Sequence, residues 1–352
     1  MKILITGNMG YIGPVLVNHL KKAYPKCTII GFDMGYFAQC VSSNGPFPEV
    51  NVDQQVFGDV RNFPEKLLEG VDTVVNLAAI SNDPMGKKFE EFTLDVNYRS
   101  CINLAKMAKK AGVKHFVFAS SCSMYGAADD YPKTEEDTLN PLTAYARSKV
   151  MSENDLNNLA SENFIITCLR FATACGFSPR LRLDLVLNDF VAGAISSGEI
   201  SILSDGTPWR AMVHVKDMSR AIEWASIRET SNGGSFLAVN IGTNKWNHQV
   251  KTMALAVQQQ LPGINVTINQ DAPADKRSYK VNFDKFMELA PDFQPQFDLE
   301  KAIIDLELGM KSIGFNDANF RDSNLIRLKV LNSFQDQGLL NENLNWTDKS
   351  FL

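Results

Sequence analysis

The 352-residue sequence has few of the features that mark several large classes of protein. Its apolar runs all fall short of the roughly 18 residues that a helix needs to cross a bilayer. Its net charge is −5, and it has no long run of Lys and Arg, whereas a nucleic-acid-binding surface needs a clustered basic face. Only one Lys precedes the first apolar run, and no small-residue cleavage site follows it. We therefore expect no membrane span, no nucleic-acid partner and no signal peptide.

Cysteine and histidine are also scarce, and their spacing predicts no metal site. The six cysteines never form a Cys-x-x-Cys pair, and the four histidines lie far apart in the sequence. Zinc sites draw on closely spaced pairs of these residues, so we expect no bound metal. Most of the cysteines lie in apolar surroundings, which is typical of reduced thiols in the core of a cytoplasmic protein.

What the first half of the sequence does have is an alternation of short β-rich runs and helical stretches. Strands that are apolar on both faces and separated by helices form a parallel sheet covered on both sides. We therefore predict an α/β fold with a doubly wound parallel sheet of the Rossmann type. The predicted strands are 2–6, 27–32, 72–79, 114–121 and 164–170, and the connections include helices over 89–111 and 144–162.

The character of the sequence changes near residue 177, where longer loops containing Pro and Gly begin. One further strand-like run, 236–242, can return to the main sheet. Residues 323–338 carry apolar side chains at helical spacing, and Gly338 ends the pattern. We predict a first domain over 1–176, with a returning segment near 212–245, and a smaller C-terminal α/β domain over 177–352.

Three glycines at a spacing of three follow the first predicted strand. Gly7, Gly10 and Gly13 stand between strand 2–6 and a helix that runs to about residue 23. Such glycines allow a tight corner, close approach of the backbone to a pyrophosphate, and close packing of the helix on the sheet. The free N–H groups at the start of the helix favour the phosphate charge. The spacing alone is weak evidence, but its position between a strand and a helix predicts a dinucleotide site.

Acidic residues follow two of the strands at positions that fit a dinucleotide. Asp33 ends the second strand, about 20 residues beyond the glycines, where an acid binds the adenosine ribose hydroxyls. Because a carboxylate there repels a 2′-phosphate, NAD is favoured over NADP. Asp59, in "GDVRN", follows another short strand and is a candidate for contact with the adenine amine. The alternative for both is ordinary turn chemistry at a solvated position.

The stretch "TAYARSKVMSEN" places Tyr145 and Lys149 on one face of a helix. A free tyrosine has a pKa near 10 and is a poor base, but a neighbouring ammonium favours the phenolate. Lys149 can also bind the nicotinamide ribose. Just before this helix, "FASSCSMYG" places Ser120, Ser121 and Ser123 at the C-terminal edge of the sheet, where open α/β sheets bind ligands. An ordinary exposed Tyr/Lys pair is the alternative, and the preceding serines argue against it.

Together these motifs resemble the extended short-chain dehydrogenase/reductases of the NAD-dependent nucleotide-sugar epimerase/dehydratase family. The likeness rests on T-G-x-x-G-x-x-G, S-S-x-x-x-Y-G, Y-x-x-x-K and L-R-x-x-x-x-x-G, and runs from the glycine turn to beyond residue 280. It implies that Ser121 is the catalytic hydroxyl, Tyr145 the base and Lys149 its partner, with NAD bound by the first domain. The cofactor-binding residues that it implies are Gly7, Met9, Gly10, Tyr11, Ile12, Gly13, Asp33, Asp59, Val60, Leu77, Ala78, Ala79, Asn97, Tyr145 and Lys149.

The resemblance also implies a nucleotide-diphosphate sugar as substrate, bound mainly by the second domain. Arg210, in "SDGTPWRAMVHVKDM", matches the family's diphosphate-binding arginine, and Arg277, in "DKRSY", matches a second. A guanidinium suits diphosphate oxygens because it donates two parallel hydrogen bonds. Arg180 is a further candidate, and an ordinary surface arginine is the alternative for each. The predicted substrate-binding residues are Ser121, Ser123, Thr173, Arg182, Asn188, Arg210 and Arg277.

The sequence departs from the family at positions that bear on the reaction. Thr173 and Cys175 stand where Asn and Tyr are usual, which predicts an atypical sugar. Cys122 and Ser123 replace the Asp-Glu pair of the dehydratases, so elimination of water lacks its acid.

The leading hypothesis is an NAD-dependent epimerase that inverts C4 of the sugar through a transient keto-sugar. The alternatives are an NAD(P)-dependent nucleotide-ketosugar reductase and a non-catalytic NAD-binding protein. The family also implies a homodimer, formed by the helix of Tyr145 and the helix 89–111, with Phe92, Val96, Leu104 and Met107 available for core or interface.

Overall fold

The alternating pattern of the first half builds strands and helices close to the predicted ranges. The structure, a computed structural model, describes residues 1–81, 83–127, 131–269 and 278–348. The strands in these ranges are β1 (Lys2–Thr6), β2 (Thr28–Asp33), β3 (Gln54–Phe57), β4 (Thr73–Asn76), β5 (His115–Ser121), β6 (Ile165–Phe171), β7 (Thr173–Cys175), β8 (Glu199–Ile202), β9 (Trp209–His214), β10 (Phe236–Ile241), β11 (Asn247–Gln249) and β12 (Asn265–Ile268).

Helices make most of the connections between these strands. The helices are α1 (Gly13–Ala23), α2 (Asp83–Lys88), α3 (Glu90–Leu94), α4 (Ser100–Lys110), α5 (Ala144–Asn157), α6 (Val186–Ser197), α7 (Val215–Ile227), α8 (Val250–Gln260), α9 (Asp284–Leu289), α10 (Leu299–Ser312) and α11 (Arg327–Asp336).

Seven strands of the described chain form one parallel sheet in the order β3-β2-β1-β4-β5-β6-β10. Alternate residues of β1 enter different cores: Ile3 and Ile5 pack with α1 and α7, whereas Leu4 packs with α4. The sheet is therefore doubly wound, as predicted. The chain leaves β1 for β2 on one side and later returns to β4 on the other, so the crevice for a ligand opens between the C-terminal ends of β1 and β4.

The predicted helix 89–111 forms as α3 and α4, joined by a π-helical turn over Asp95–Arg99. Such turns are frequent at functional sites. The predicted helix 144–162 begins correctly, because the Thr143 side chain accepts a hydrogen bond from the Ala146 N–H. It ends at Asn157, five residues early, because a tight turn between Ser161 and Phe164 leads directly into β6.

The second half contains more strands than the sequence indicates. Strand β10 returns to the main sheet beside β6, as predicted. Strands β7, β9 and β11 form a small second sheet, and β8 pairs with β12. Most of these strands are too short to show an alternating pattern. The domain boundary at residue 176 stays a prediction, and the separate apolar core of α6, α8 and α10 supports it.

The predicted C-terminal helix begins at Arg327 rather than at 323. Leu325 and Ile326 precede it and pack against the core of the second half, while Leu331 packs with Tyr36 of the first half. The chain end thus lies across both halves. The described helices are too short or too polar to span a lipid bilayer.

The cysteines and the other metal-binding residue types do not cluster in the described ranges. There, no group of three or more His, Cys, Asp or Glu side chains is placed to hold a metal ion. All six cysteines are buried and unpaired.

Candidate active site

A cavity of about 850 Å³ lies at the C-terminal edge of the main sheet, at the crevice between β1 and β4. Residues of both halves line it, from the glycine turn to Arg327. This volume lies within the usual range for ligand pockets. The cavity therefore lies where the sheet topology predicts a ligand site.

The glycine turn has the close contacts that its residues predict. Gly7 has a φ of +72°, and a Cβ there would stand 2.6 Å from the Ala78 nitrogen. A Cβ on Gly13 would stand 1.9 Å from the Asn8 carbonyl oxygen, so only glycine lets α1 begin so close to the turn. Gly10, Tyr11 and Ile12 line the cavity in addition to Gly7. This cradle at a helix N-terminus fits the diphosphate of a dinucleotide.

Asp33 lines the same cavity and is tied to the glycine turn. Its Oδ2 accepts a hydrogen bond from the Met9 N–H at 3.0 Å, and its Oδ1 accepts one from the Gly35 N–H at 2.8 Å. Burial raises the pKa of Asp33, and these two N–H groups oppose the rise. The buried Met9 side chain does not line the cavity, so Met9 acts through its backbone.

Asp59 and Val60 also line the cavity, but the Asp59 carboxylate already has partners. Its Oδ1 accepts from the Arg61 N–H, and its Oδ2 accepts from Arg61 Nε, each at 2.8 Å. This is the turn chemistry that the sequence left as an alternative. Contact between Asp59 and the adenine amine stays a prediction.

Leu77, Ala78 and Ala79 follow β4 and line the cavity as expected, whereas Asn97 and Gly13 do not. Asn97 is buried in the π-helical turn. Its Oδ1 accepts from the Ile80 N–H at 2.8 Å, and its Nδ2 donates to the Ile80 carbonyl at 2.9 Å and to Ser148 Oγ at 3.2 Å. Asn97 therefore positions the segment after β4 relative to α5.

The predicted catalytic residues come together around one end of the cavity. Ser121, Tyr145 and Lys149 all line it. Ser121 Oγ donates to Ser123 Oγ at 2.9 Å, and Ser123 also lines the cavity. Lys149 Nζ lies 5.5 Å from the centroid of the Tyr145 ring and donates to the Ala119 carbonyl at 2.6 Å. Burial lowers the pKa of Lys149 to about 8, so its ammonium is held in a site that disfavours charge.

A buried ion pair supports these residues, and it was not among the features predicted from the sequence. Glu153 follows Lys149 by one helical turn, and its Oε2 accepts from Arg170 Nη2 at 2.7 Å. Ser120 Oγ donates a hydrogen bond to Glu153 Oε1, so the Ser120 hydroxyl has a structural partner. The ion pair fixes β6 against α5, and the Ser120 hydrogen bond fixes the end of β5 against α5. The spacing Y-x-x-x-K-x-x-x-E in the sequence is a signal that points to Glu153.

The predicted substrate residues separate into two groups. Thr173, Arg182 and Arg210 line the cavity. Asn188 is fully buried away from it: its Oδ1 accepts from the Gly176 N–H at 3.1 Å, and its Nδ2 donates to the Arg182 carbonyl at 2.9 Å. The structure therefore does not bring Asn188 to the cavity. Arg277 lies outside the described residues.

The two candidate arginines Arg180 and Arg182 already have carboxylate partners within the protein. Arg182 Nη2 pairs with Asp184 at 2.8 Å, and its Nη1 donates to Ser81 Oγ. Arg180 is buried beside Glu49 and does not reach the cavity, and neither does the buried Cys175.

Comparison with known proteins agrees with this geometry. Residues 3–242 match the model of a family described as the NAD dependent epimerase/dehydratase family. The chain belongs to this family. Its cofactor is accordingly NAD, and it is an enzyme of the extended short-chain dehydrogenase/reductase type.

Individual relatives and one solved structure show the same likeness. The chain is 29% identical to an uncharacterized UDP-glucose epimerase, YtcB, of Bacillus subtilis over 63% of this chain and 71% of the relative. It is 27% identical to a UDP-glucose 4-epimerase of Lactobacillus helveticus over 62% and 69%. MoeE5, solved with UDP-glucose and NAD, shares the fold with a TM-score of 0.74 at 24% identity over 88% of this chain and 99% of MoeE5.

The Asp33 carboxylate sets an expected preference between the two dinucleotides. We predict that NAD binds at least about tenfold more tightly than NADP, because a 2′-phosphate would face the half-buried carboxylate of Asp33. Arg180, whose charge reaches Asp33, is already paired with Glu49. Titration calorimetry with each dinucleotide checks this, with an Asp33→Ser variant expected to narrow the difference. Tighter binding of NADP to the parent would overturn it.

Proposed function

We propose that the enzyme is an NAD-dependent nucleotide-sugar epimerase that inverts C4 through a transient keto-sugar. The observation that carries this is the convergence of Ser121, Tyr145 and Lys149 on a cavity that continues to Thr173 and Arg210. One end can therefore do acid–base chemistry on a sugar hydroxyl while the other holds the nucleotide diphosphate. The UDP-sugar relatives support this substrate class.

Each catalytic side chain has a distinct role in this reaction. Tyr145, as phenolate, accepts the proton of the sugar C4 hydroxyl and later returns it. Lys149 favours the phenolate through its ammonium, and Ser121 Oγ hydrogen-bonds the same sugar oxygen. NAD, when bound, supplies the acceptor and donor of the hydride. Inversion requires the keto-sugar to present its other face to the cofactor before the hydride returns.

The residues after Ser121 argue against dehydration of the sugar. Cys122 is fully buried, and its Sγ lies 3.0 Å from the Arg170 carbonyl oxygen. The Cys122 thiol is therefore not exposed to substrate. Burial also raises its pKa, so it is a poor proton donor at neutral pH. Elimination of water needs an acid at this place, and Ser123, the next residue, has only a hydroxyl.

A nucleotide-ketosugar reductase is the second candidate, because it uses the same side chains for one half of the reaction. Retention of the cofactor separates the two. Native mass spectrometry of the purified protein should show NAD bound, and a panel of nucleotide sugars should be inverted without added cofactor. A protein that arrives free of NAD and consumes NADH stoichiometrically with sugar would favour the reductase.

We further propose that the enzyme is a cytoplasmic homodimer. Six buried, unpaired cysteines support a reducing compartment. Phe92 and Leu104 of the predicted interface helices are in the core, whereas Met107 is partly exposed and Met151 of α5 is exposed. These two positions remain available for a four-helix interface.

Light scattering at micromolar concentration tests the assembly. We expect a dimeric mass for the parent and a monomeric mass for Met151→Glu, because an unpaired carboxylate would be buried in the interface. Leu255→Glu, at an exposed apolar position on α8, is the matched control and should stay dimeric. A monomeric parent would refute the proposal.

A further inference from the structure

Arg327, the first residue of α11, carries a buried guanidinium with an unusual environment. Only 2% of the residue is exposed, and it lines the cavity. Its Nη2 donates to the Arg180 carbonyl at 3.0 Å, and the guanidinium carbon lies 4.7 Å from the centroid of the Phe37 ring. Its Nη1 has no hydrogen-bond partner within the described residues. A donor of this side chain is therefore left to be satisfied.

The charge of Arg327 has no counter-ion of its own in the described chain, because Asp184, whose charge reaches it, is already paired with Arg182. The neighbouring Arg180 and Arg182 are each paired with a carboxylate at 2.8 Å. Cys40 lies close to Arg327, but burial raises the pKa of its thiol and leaves it neutral. Burial lowers the pKa of Arg327 to about 10, which still leaves it charged at neutral pH. A buried cation without a partner is costly, so an anion is expected here.

The surroundings of Arg327 identify that anion. Phe37 follows β2 and Asp33, on the side of the cavity that takes the adenosine ribose. Arg327 thus lines the cavity beside the loop that follows Asp33, and the anionic group that a dinucleotide brings to such a site is its diphosphate. We propose that Arg327 binds the diphosphate of NAD.

The chain after α11 holds Arg327 in this position. The Tyr36 hydroxyl donates to the Leu344 carbonyl, and Trp346 Nε1 donates to the Met34 carbonyl at 3.0 Å. The Trp346 ring also packs against Tyr36 and Phe334. The C-terminal segment is thereby fastened to the loop after β2. The proposal rests on NAD as cofactor and not on the reaction at the sugar.

Ligand fragments test this role without any assay of turnover. Titration calorimetry on cofactor-free Arg327→Gln should show an affinity for NAD and for ADP-ribose that is about 10–100-fold lower than in the parent, because hydrogen bonds to a charged group are lost. Adenosine, which has no diphosphate, should bind the variant and the parent equally. Arg327→Lys should show a smaller loss of affinity, since lysine keeps the positive charge but lacks the paired N–H donors of the guanidinium. Lys329→Gln removes an exposed charge from the same helix and should change nothing.

Other patterns of loss would contradict the proposal. Equal weakening of adenosine and ADP-ribose would show a structural role for Arg327. A loss of affinity confined to UDP would assign Arg327 to the substrate site. A loss of affinity confined to NADP would assign Arg327 to the 2′-phosphate. If Arg327→Gln fails to fold, judged by its thermal unfolding, the Lys variant decides: unchanged ADP-ribose affinity relative to adenosine would overturn the proposal. Loss of nucleotide-sugar inversion alone, with ADP-ribose affinity unchanged in both variants, would also overturn it.

Discussion

Replacing Tyr145 with Phe should lower the turnover of the nucleotide sugar by about 10²–10⁴-fold, the usual contribution of a general base. The substitution removes one oxygen, the proposed proton acceptor for the sugar hydroxyl, and leaves the ring in place. Lys149, the glycine turn and Asp33 are untouched, so the affinity for NAD should stay within about twofold. Steady-state kinetics and titration calorimetry measure the two quantities.

A matched control separates the base from a general effect of losing a phenol. Tyr131 is exposed, so Tyr131→Phe should turn over at the parent rate. The pH profile of the parent should show a base that titrates well below the pKa of about 10 of free tyrosine. A Tyr145→Phe variant with the parent rate would place the base on another residue.

Replacing Lys149 with Met should have a larger effect, because one ammonium serves two functions. Turnover should fall by at least the 10²–10⁴-fold expected of a lost base, since the phenolate of Tyr145 loses its neighbouring charge. Affinity for NAD should fall as well, whereas Tyr145→Phe leaves it unchanged. Kinetics and calorimetry on the two variants test this ordering. Parent-like NAD affinity in Lys149→Met would contradict a shared role.

The same variant has a pH-dependent signature in stability. Burial lowers the pKa of Lys149 to about 8, against about 10.4 in an unfolded chain. Between these values the unfolded state binds more protons than the folded state, so this group makes the parent more stable as pH rises. The gain is at most about 3 kcal/mol and is complete above about pH 10.4.

Denaturant unfolding at several pH values isolates this gain, because Lys149→Met lacks it while the other titrating groups are retained. The parent should gain stability relative to the variant between pH 8 and 10.4. An equal dependence on pH in the two proteins would mean that Lys149 is not desolvated in the fold.

The main sheet is predictable from the sequence because its strands are apolar on both faces. Residues such as Ile3, Leu4 and Ile5 of β1 have no polar face, and only a sheet buried between helices accommodates such a run. The glycine turn is predictable for a related reason: Gly7 and Gly13 stand where a Cβ would collide with neighbouring backbone. Each signal is local, and each reports directly on packing.

Pairing with other protein groups explains why two candidate site residues could not be judged from the sequence. Asp59 follows a strand and matches the expected pattern, but its carboxylate is taken by Arg61, two residues later. Asn188 lies near other substrate candidates, yet its amide is bonded to Gly176 and Arg182. Competition among protein partners for a polar side chain is not encoded in its spacing.

The C-terminal segment shows this limit most clearly. The sequence predicts a helix near residue 327 but not that it lies against the cofactor cavity. That position depends on contacts such as Trp346 with Met34 and Leu344 with Tyr36, about 300 residues apart in the chain. No short-range pattern carries such information.

The fate of hydrogen at C4 tests the proposed reaction most directly. A UDP-sugar carrying deuterium at C4 is incubated with the purified enzyme and no added cofactor, and the products are followed by NMR. We expect the C4 epimer to accumulate with the deuterium still on C4, because the hydride returns to the carbon that it left. Deuterium found at another carbon or lost to solvent, or a reduced sugar without inversion, would contradict an epimerase acting through a 4-keto-sugar.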